Sequence, residues 1–287
     1  MKKILAILST FGLLTAAGSA QTFALKLQGG MGTVSGGDLT AGIRGQNQLL
    51  AEEFQTTSAF RVPKSGVNLA GEVVFYPLTH FGIGIGGGYF QSFKQSAVLY
   101  TYGDLQVLET IKPRIQAVPL TLNLHWNIFV TSWLHLDVSG GSGLYFTTLS
   151  WDYRNSYVLS DLNGSEHYTF KASKSAVGYQ GGLGLEYLVS RRLAVVLNVS
   201  GRVVSVGPFS KGAWTDAFTG SSVPPDSSGN DHSFWYYEWN TGSQTFPQIA
   251  FQANPPTGDP AIGNVRTAKI DLNGLSATIG IRLAIGR

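Results

Sequence analysis

One pattern restricts this chain more than any other. In LTLNLHWNIFVTSWLHLDVSGG (120–141) every second residue is apolar: Leu120, Leu122, Leu124 and Trp126, then, past a short turn, Leu134, Leu136 and Val138. Between them stand Thr121, Asn123, His125 and Asn127, and then His135, Asp137 and Ser139. A period of two on both sides of a turn describes an antiparallel hairpin with one apolar and one polar face; a helix would scatter those residues around its axis. The same alternation runs through Phe23 to Leu27, Val67 to Phe75, FGIGIGGGYF (81–90), AVGYQGGLGLEYL (176–188), LAVVLNVSGRV (193–203) and LSATIGIRLAI (275–285), giving eight strands.

The connections carry a second regularity. PLTH (77–80), VTSW (130–133) and SRR (190–192) are short, whereas 34–65, 101–113, 150–173 and 205–266 are long. Strict alternation of short and long puts all short turns at one end of a meander and all long loops at the other. The expected fold is all-β: an eight-stranded antiparallel up-and-down transmembrane β-barrel with short periplasmic turns and long extracellular loops.

Alternation alone does not say which face meets water, and a secreted soluble barrel would show it too. A solvated face is rich in Lys and Glu. Here it holds Gly, Ser, Asn, Thr and Gln; charged residues make up only 13% of the chain and glycine occurs 36 times, against about a quarter charged in ordinary soluble domains. The polar face therefore reads as a crowded lumen and the leucines as facing lipid. Tyr76, Phe81, Trp126, Phe129, Trp133 and Tyr187 flank the short turns, and Tyr89, Phe93, Phe146, Trp151 and Tyr179 lie toward the other end, as two interfacial girdles would.

MKKILAILSTFGLLTAAGSA (1–20) has the build of a secretory signal peptide, because its apolar run from Ile4 to Leu14 is too short to span a bilayer and is followed by small residues. Residues 21–287 are then the barrel domain. Losing Lys2 and Lys3 takes the formal charge from +3 to +1, which leaves no electrostatic footprint for nucleic acid. Cysteine is absent, so no disulfide staples the fold.

The leader, the run VPLTLNLHW, the closing pattern KIDLNGLSATIGIRLAI and the four-loop layout resemble the small outer-membrane β-barrel proteins grouped with OmpA, OmpW and the opacity proteins of Gram-negative bacteria. The resemblance implies a monomer in the cell outer membrane, with membrane lipid and the barrel assembly machinery as partners. It also implies either a lumen plugged by polar side chains, as in OmpA, or a narrow path for small or hydrophobic solutes, as in OmpW.

Inward positions near the short turns collect ionisable residues: Lys26, Glu72, His125, His135, Asp137, Glu186 and Arg282. If the second hairpin folds symmetrically about Thr131, Asn127 faces His135, His125 faces Asp137 and Asn123 faces Ser139. Buried charges of both signs in one narrow barrel point to an ion-pair network. His135, Asp137 and Ser139 do not make a hydrolase triad, since positions i and i+4 of one strand stand about 13 Å apart. Gly82, Gly84 and Gly87 with Asp104 match a dinucleotide fingerprint formally, but no helical pattern follows. The inward glycines are better explained as room for bulky neighbours. No cofactor and no catalytic constellation is expected, and Asp226, Asp231 and His232 match no metal loop. In the fourth loop VPPDSSGNDHSFWYYEWN (223–240) crowds Trp235, Tyr236, Tyr237 and Trp239 together, as a surface that binds a ligand or sugar would, or as an added hairpin that raises the strand count to ten. LLAEEF in the first loop hints at a short helix.

Overall fold

The computed structural model describes residues 22–285 apart from 57, 104, 160–161 and 221–223. The expected signal peptide (1–20) lies outside the described residues, as does Asp104. In chain order the elements are β1 (Thr22–Thr33), α1 (Asp38–Glu53), β2 (Gln55–Thr56), β3 (Ser65–Leu78), β4 (Phe81–Phe93), β5 (Ser96–Tyr102), β6 (Leu105–Ile111) and β7 (Arg114–Phe129). They continue with β8 (Leu134–Leu159), β9 (Leu162–Leu188), β10 (Leu193–Val203), β11 (Ser205–Val206), β12 (Gly212–Gly220) and β13 (Ser227–Asn240). The last four are β14 (Thr245–Gln252), β15 (Ile262–Thr267), β16 (Ile270–Asp271) and β17 (Gly274–Ile285).

Strands β1, β3, β4, β7, β8, β9, β10 and β17 pair in that order, all antiparallel, and β17 pairs with β1. Eight strands thus close a ring and leave it no edge. The sheet as a whole is larger than the expected eight, with fifteen strands joined in it. The upper half of β8 pairs with β6, which carries β5 and then β2, and the upper half of β9 pairs with β12, which leads to β13 and its partners β14 and β15. The segments FWYYEW and TFPQIAFQ do form a hairpin, β13 with β14. It stands on top of β9 rather than within the ring, so the ring does not grow to ten. Segment 150–173, expected as a loop, is the continuation of β8 and β9.

The second hairpin differs in register from the symmetric expectation. Asn127 faces Asp137, His125 faces Ser139 and Phe129 faces His135, a slip of two residues. The cause is local: the Thr131 hydroxyl accepts the backbone N–H groups of Trp133 and Leu134 at 3.3 and 3.0 Å, which lengthens the turn on the β8 side.

The outer face carries exposed apolar side chains on every ring strand, among them Leu27, Leu69, Ile85, Leu122, Val138, Leu183, Leu197 and Ile281. On β7 the belt runs from Val118 to Ile128, and ten residue steps of about 3.3 Å at a tilt of about 40° reach about 25 Å along the barrel axis. That is the height of an outer-membrane hydrocarbon band, and the barrel lies in that membrane. The girdle expectation needs two corrections. Tyr76 and Trp151 are buried, because their positions alternate onto the inner face.

Above Phe146 and Val177, which are 50% and 66% exposed, the two faces of β8 and β9 exchange character without a break in either strand. Outward positions become polar, with Thr148 bonded to Ser173, while inward positions become apolar: Leu149, Trp151, Phe170 and Ala172. These join α1 (Leu39, Ile43, Leu50), Phe209, Phe234, Ile270 and Leu272 in one buried cluster. The molecule is therefore apolar-out in the membrane and apolar-in above it, as a water-exposed head requires.

Helix α1 is longer than LLAEEF suggested, and its glycines explain where it sits. A Cβ on Gly45 would lie 1.7 Å from the Pro247 carbonyl oxygen, and one on Gly42 would lie 2.4 Å from Ile249. Both glycines let β14 approach the helix backbone. At the first turn Arg266 donates to both oxygens of Asp38 at 2.5 and 2.7 Å, and the Lys269 N–H donates to one of them at 2.8 Å, which fastens the helix to the β15 side of the head.

Candidate functional site

The lumen is built from facing rows. Pairing of β1 with β17 and β3 sets Arg282, Lys26 and Glu72 in one row across three strands. Lys26 is 2% exposed and Glu186 0%. The Lys26 Nζ lies 2.6 Å from Asp137 Oδ2 and 3.0 Å from Glu186 Oε1, and Arg282 Nε lies 2.9 Å from the other Glu186 oxygen. His125 stands between two carboxylates, its Nδ1 3.1 Å from Asp137 and its Nε2 3.1 Å from Glu72. A ring with a carboxylate beside each nitrogen has its charge matched on both sides when both nitrogens carry protons, the Nδ1 side by a hydrogen bond to Asp137. Three cationic groups then face three carboxylates, and the charge of this cluster closes to zero.

Glycines make the network fit. A Cβ on Gly84 would meet Glu72 Oε1 at 2.4 Å and His125 Nε2 at 3.0 Å, and one on Gly82 would meet the Tyr76 ring at 2.7 Å. The alternate-glycine run of β4 is thus the wall against which the charged side chains lie.

Of the seven expected lumen residues six are in direct contact. His135 is not: it makes no ion pair or hydrogen bond among the described residues and instead packs against Phe129, ring centroids 4.4 Å apart. The two-residue register slip explains this, because it moves Asp137 rather than His135 opposite Asn127 and leaves His135 one step closer to the periplasmic mouth. Ser139 reaches only the Gly182 carbonyl, at 3.5 Å, and has no histidine partner, so no triad forms.

Above the ion pairs a polar chain climbs the lumen. Asn123 donates to Glu72 at 2.7 Å, Gln180 donates to Asn123 at 2.9 Å, and the Tyr145 hydroxyl donates to Gln180 at 3.0 Å. Arg202 then crosses the top. It donates to the Leu272 and Thr33 carbonyls at 2.7 Å each and to Ser276 Oγ at 3.1 Å, and its guanidinium lies 4.2 Å from the Phe90 ring centroid. Between plug and lid the cavity is about 130 Å³, room for a few waters. Arg202 was not singled out from the sequence, although its alternation with Asn198 and Ser200 in LAVVLNVSGRV marks it as inward.

The aromatic crowd of the fourth loop is not an open platform. Tyr236 is 7% exposed within the head core and lies under Arg266, 4.2 Å from the ring centroid. Trp235, Tyr237 and Trp239 are half-buried, and Trp235 donates to the Gln252 carbonyl at 2.9 Å. Alternation along β13 separates Tyr236 from the other three, so the four do not share a face.

No family model and no curated protein matches the chain. Among solved structures, a major outer membrane protein from Thermus thermophilus aligns at 12% identity and a TM-score of 0.36, covering 93% of this chain and 100% of that one. CarO from Acinetobacter baumannii aligns at 10% identity and a TM-score of 0.32, with 91% and 96% covered. The outer membrane protease OmpT from Escherichia coli aligns at 11% identity and a TM-score of 0.30, with 94% and 100% covered. At such values, fold and site stand on the chain's own geometry.

Proposed function

We propose that this protein is a closed, non-conducting outer-membrane barrel whose work is done by its folded extracellular head, as a surface-recognition protein. The observation that carries the reading is the double closure of the lumen. Neutralised ion pairs fill the periplasmic half, and Arg202 with Phe90 and the head core covers the other end. The alternative, a narrow path for small or hydrophobic solutes, would require that network to open at the cost of separating buried charges. The layout favours the OmpA and opacity-protein side of the expected resemblance over the OmpW side. The apolar belt occupies every ring strand and reserves no side for a second copy, which supports a monomer surrounded by lipid and delivered there by the barrel assembly machinery. Planar-bilayer recording of the refolded full chain tests this: verified insertion without discrete steps is the expected result, and stable unitary conductance would overturn it.

A further inference from the structure

The head contains a cleft of about 430 Å³, within the size range of small-molecule sites. Its floor comes from two neighbouring rows of residues that cross four strands. Glu109 of β6 and Glu166 of β9, in register through Asn155 of β8, form the first, and Ile111, Tyr153, Tyr168 and Asp216 of β12 form the second. Gly42 and Ile43 of α1, His232 of β13 and Phe251 of β14 close over them.

Two properties of this cleft go together. Its walls are aromatic: Trp151 and Phe251 lie 5.1 Å apart between centroids, and Tyr153, Tyr168 and Phe60 complete the lining. Its charges are all negative, for Glu109, Glu166 and Asp216 line it and neither Lys nor Arg does. Among the described residues none of these three carboxylates has an ion pair. Glu109, 8% exposed, accepts the Tyr100 and Tyr153 hydroxyls at 2.8 and 3.2 Å, both on the same oxygen. Asp216 Oδ1 is a buried acceptor with no hydrogen-bond partner. Burial holds Glu109 and Glu166 above the usual carboxylate range, and it keeps His232 below its own.

We infer that the cleft binds a small organic cation, an ammonium group joined to an apolar body. The carboxylate oxygens, the unpartnered Asp216 Oδ1 among them, accept its N–H groups while the aromatic faces take the cation and its hydrocarbon. A divalent metal is a poorer match. No group of three metal-ligating side chains converges among the described residues, and calcium asks for six to eight oxygens. An anionic ligand would meet three carboxylates of its own sign. The inference rests on the head being the recognition surface and names what it takes up; bilayer conductance reports on the lumen separately.

The test is calorimetric titration of the full chain, refolded in an uncharged detergent, with benzylamine and with its neutral analogue benzyl alcohol. Saturable benzylamine binding is expected, about tenfold or more tighter than the alcohol. Glu109→Gln and Asp216→Asn should each weaken the amine about tenfold and leave the alcohol unchanged. Asp216 is the less buried of the two, so it decides the matter if the Glu109 variant does not fold. Equal binding of amine and alcohol, no saturable binding of the amine, or wild-type amine affinity in the folded variants would overturn the inference.

Discussion

Replacing Lys26 with Met keeps the length of the side chain and removes its charge from the most enclosed point of the lumen. The ammonium stands 2.6 Å from Asp137 and 3.0 Å from Glu186, and breaking a buried pair from one side costs about 3–5 kcal/mol, because the remaining charge stays desolvated. Both acids keep one other partner, His125 for Asp137 and Arg282 for Glu186. That places the expected loss at the lower end, about 3 kcal/mol. Urea unfolding in lipid vesicles, followed by tryptophan fluorescence, reads this directly. With a slope of about 2–3 kcal/mol/M the midpoint should fall by about 1 M. Pairing the change with Asp137→Asn should recover part of the loss, since the acid left behind is then neutral. A Lys26→Met midpoint within about 0.2 M of wild type would refute the view that these ion pairs hold the barrel interior together.

Gly84→Val should displace Glu72 from His125 and lower stability by about 2–3 kcal/mol, whereas Gly87→Ala, whose added carbon meets only the Pro119 carbonyl at 3.5 Å, should be near neutral in the same unfolding assay. Asp38→Ala should free the first turn of α1 from Arg266 and Lys269, at a cost of about 1–2 kcal/mol given the half-exposed arginine; limited proteolysis between residues 34 and 64 should speed up while the ring strands stay resistant. Amine binding in the head cleft should weaken as pH falls from 8 to 5. Glu109, Glu166 and Asp216 are held above the ordinary carboxylate range by burial, the last two also by neighbouring acids including Asp226, so they take up protons before ordinary carboxylates would. His232 gains charge in the same direction, and Tyr100, Tyr153 and Tyr168 stay neutral throughout. Affinity unchanged down to pH 5 would separate binding from these carboxylates.

The ring was legible in the sequence because lipid forces a strict alternation that one strand reveals by itself. Leu120 to Trp126 suffices to orient β7, and the inward Lys26, Glu72 and Glu186 follow by parity. Register was less legible: the Thr131 hydroxyl shifts β8 by two residues, which sets Asp137 opposite Asn127 and leaves His135 opposite Phe129, outside the ion pairs. The head escaped for a different reason. Its cleft gathers Glu109, Tyr153, Glu166, Asp216 and Phe251 from five strands, and no local pattern announces that β6 and β12 flank the upper halves of β8 and β9. The glycines of α1 weaken its helical signal, yet they are what lets Pro247 and Ile249 approach.

The exchange of faces at Phe146 and Val177 acts as a waterline. One pleat repeat along a tilted strand is about 5 Å of height. Raising the barrel by that amount would strip lipid from a circle of apolar side chains, one per ring strand, and lowering it would drag the Thr148 and Ser173 hydroxyls into hydrocarbon. At about 1 kcal/mol or more for each side chain moved, either displacement costs on the order of 10 kcal/mol around the ring. The protein therefore floats at a single depth, and the mouth of the acidic cleft is held at a fixed height over the membrane surface.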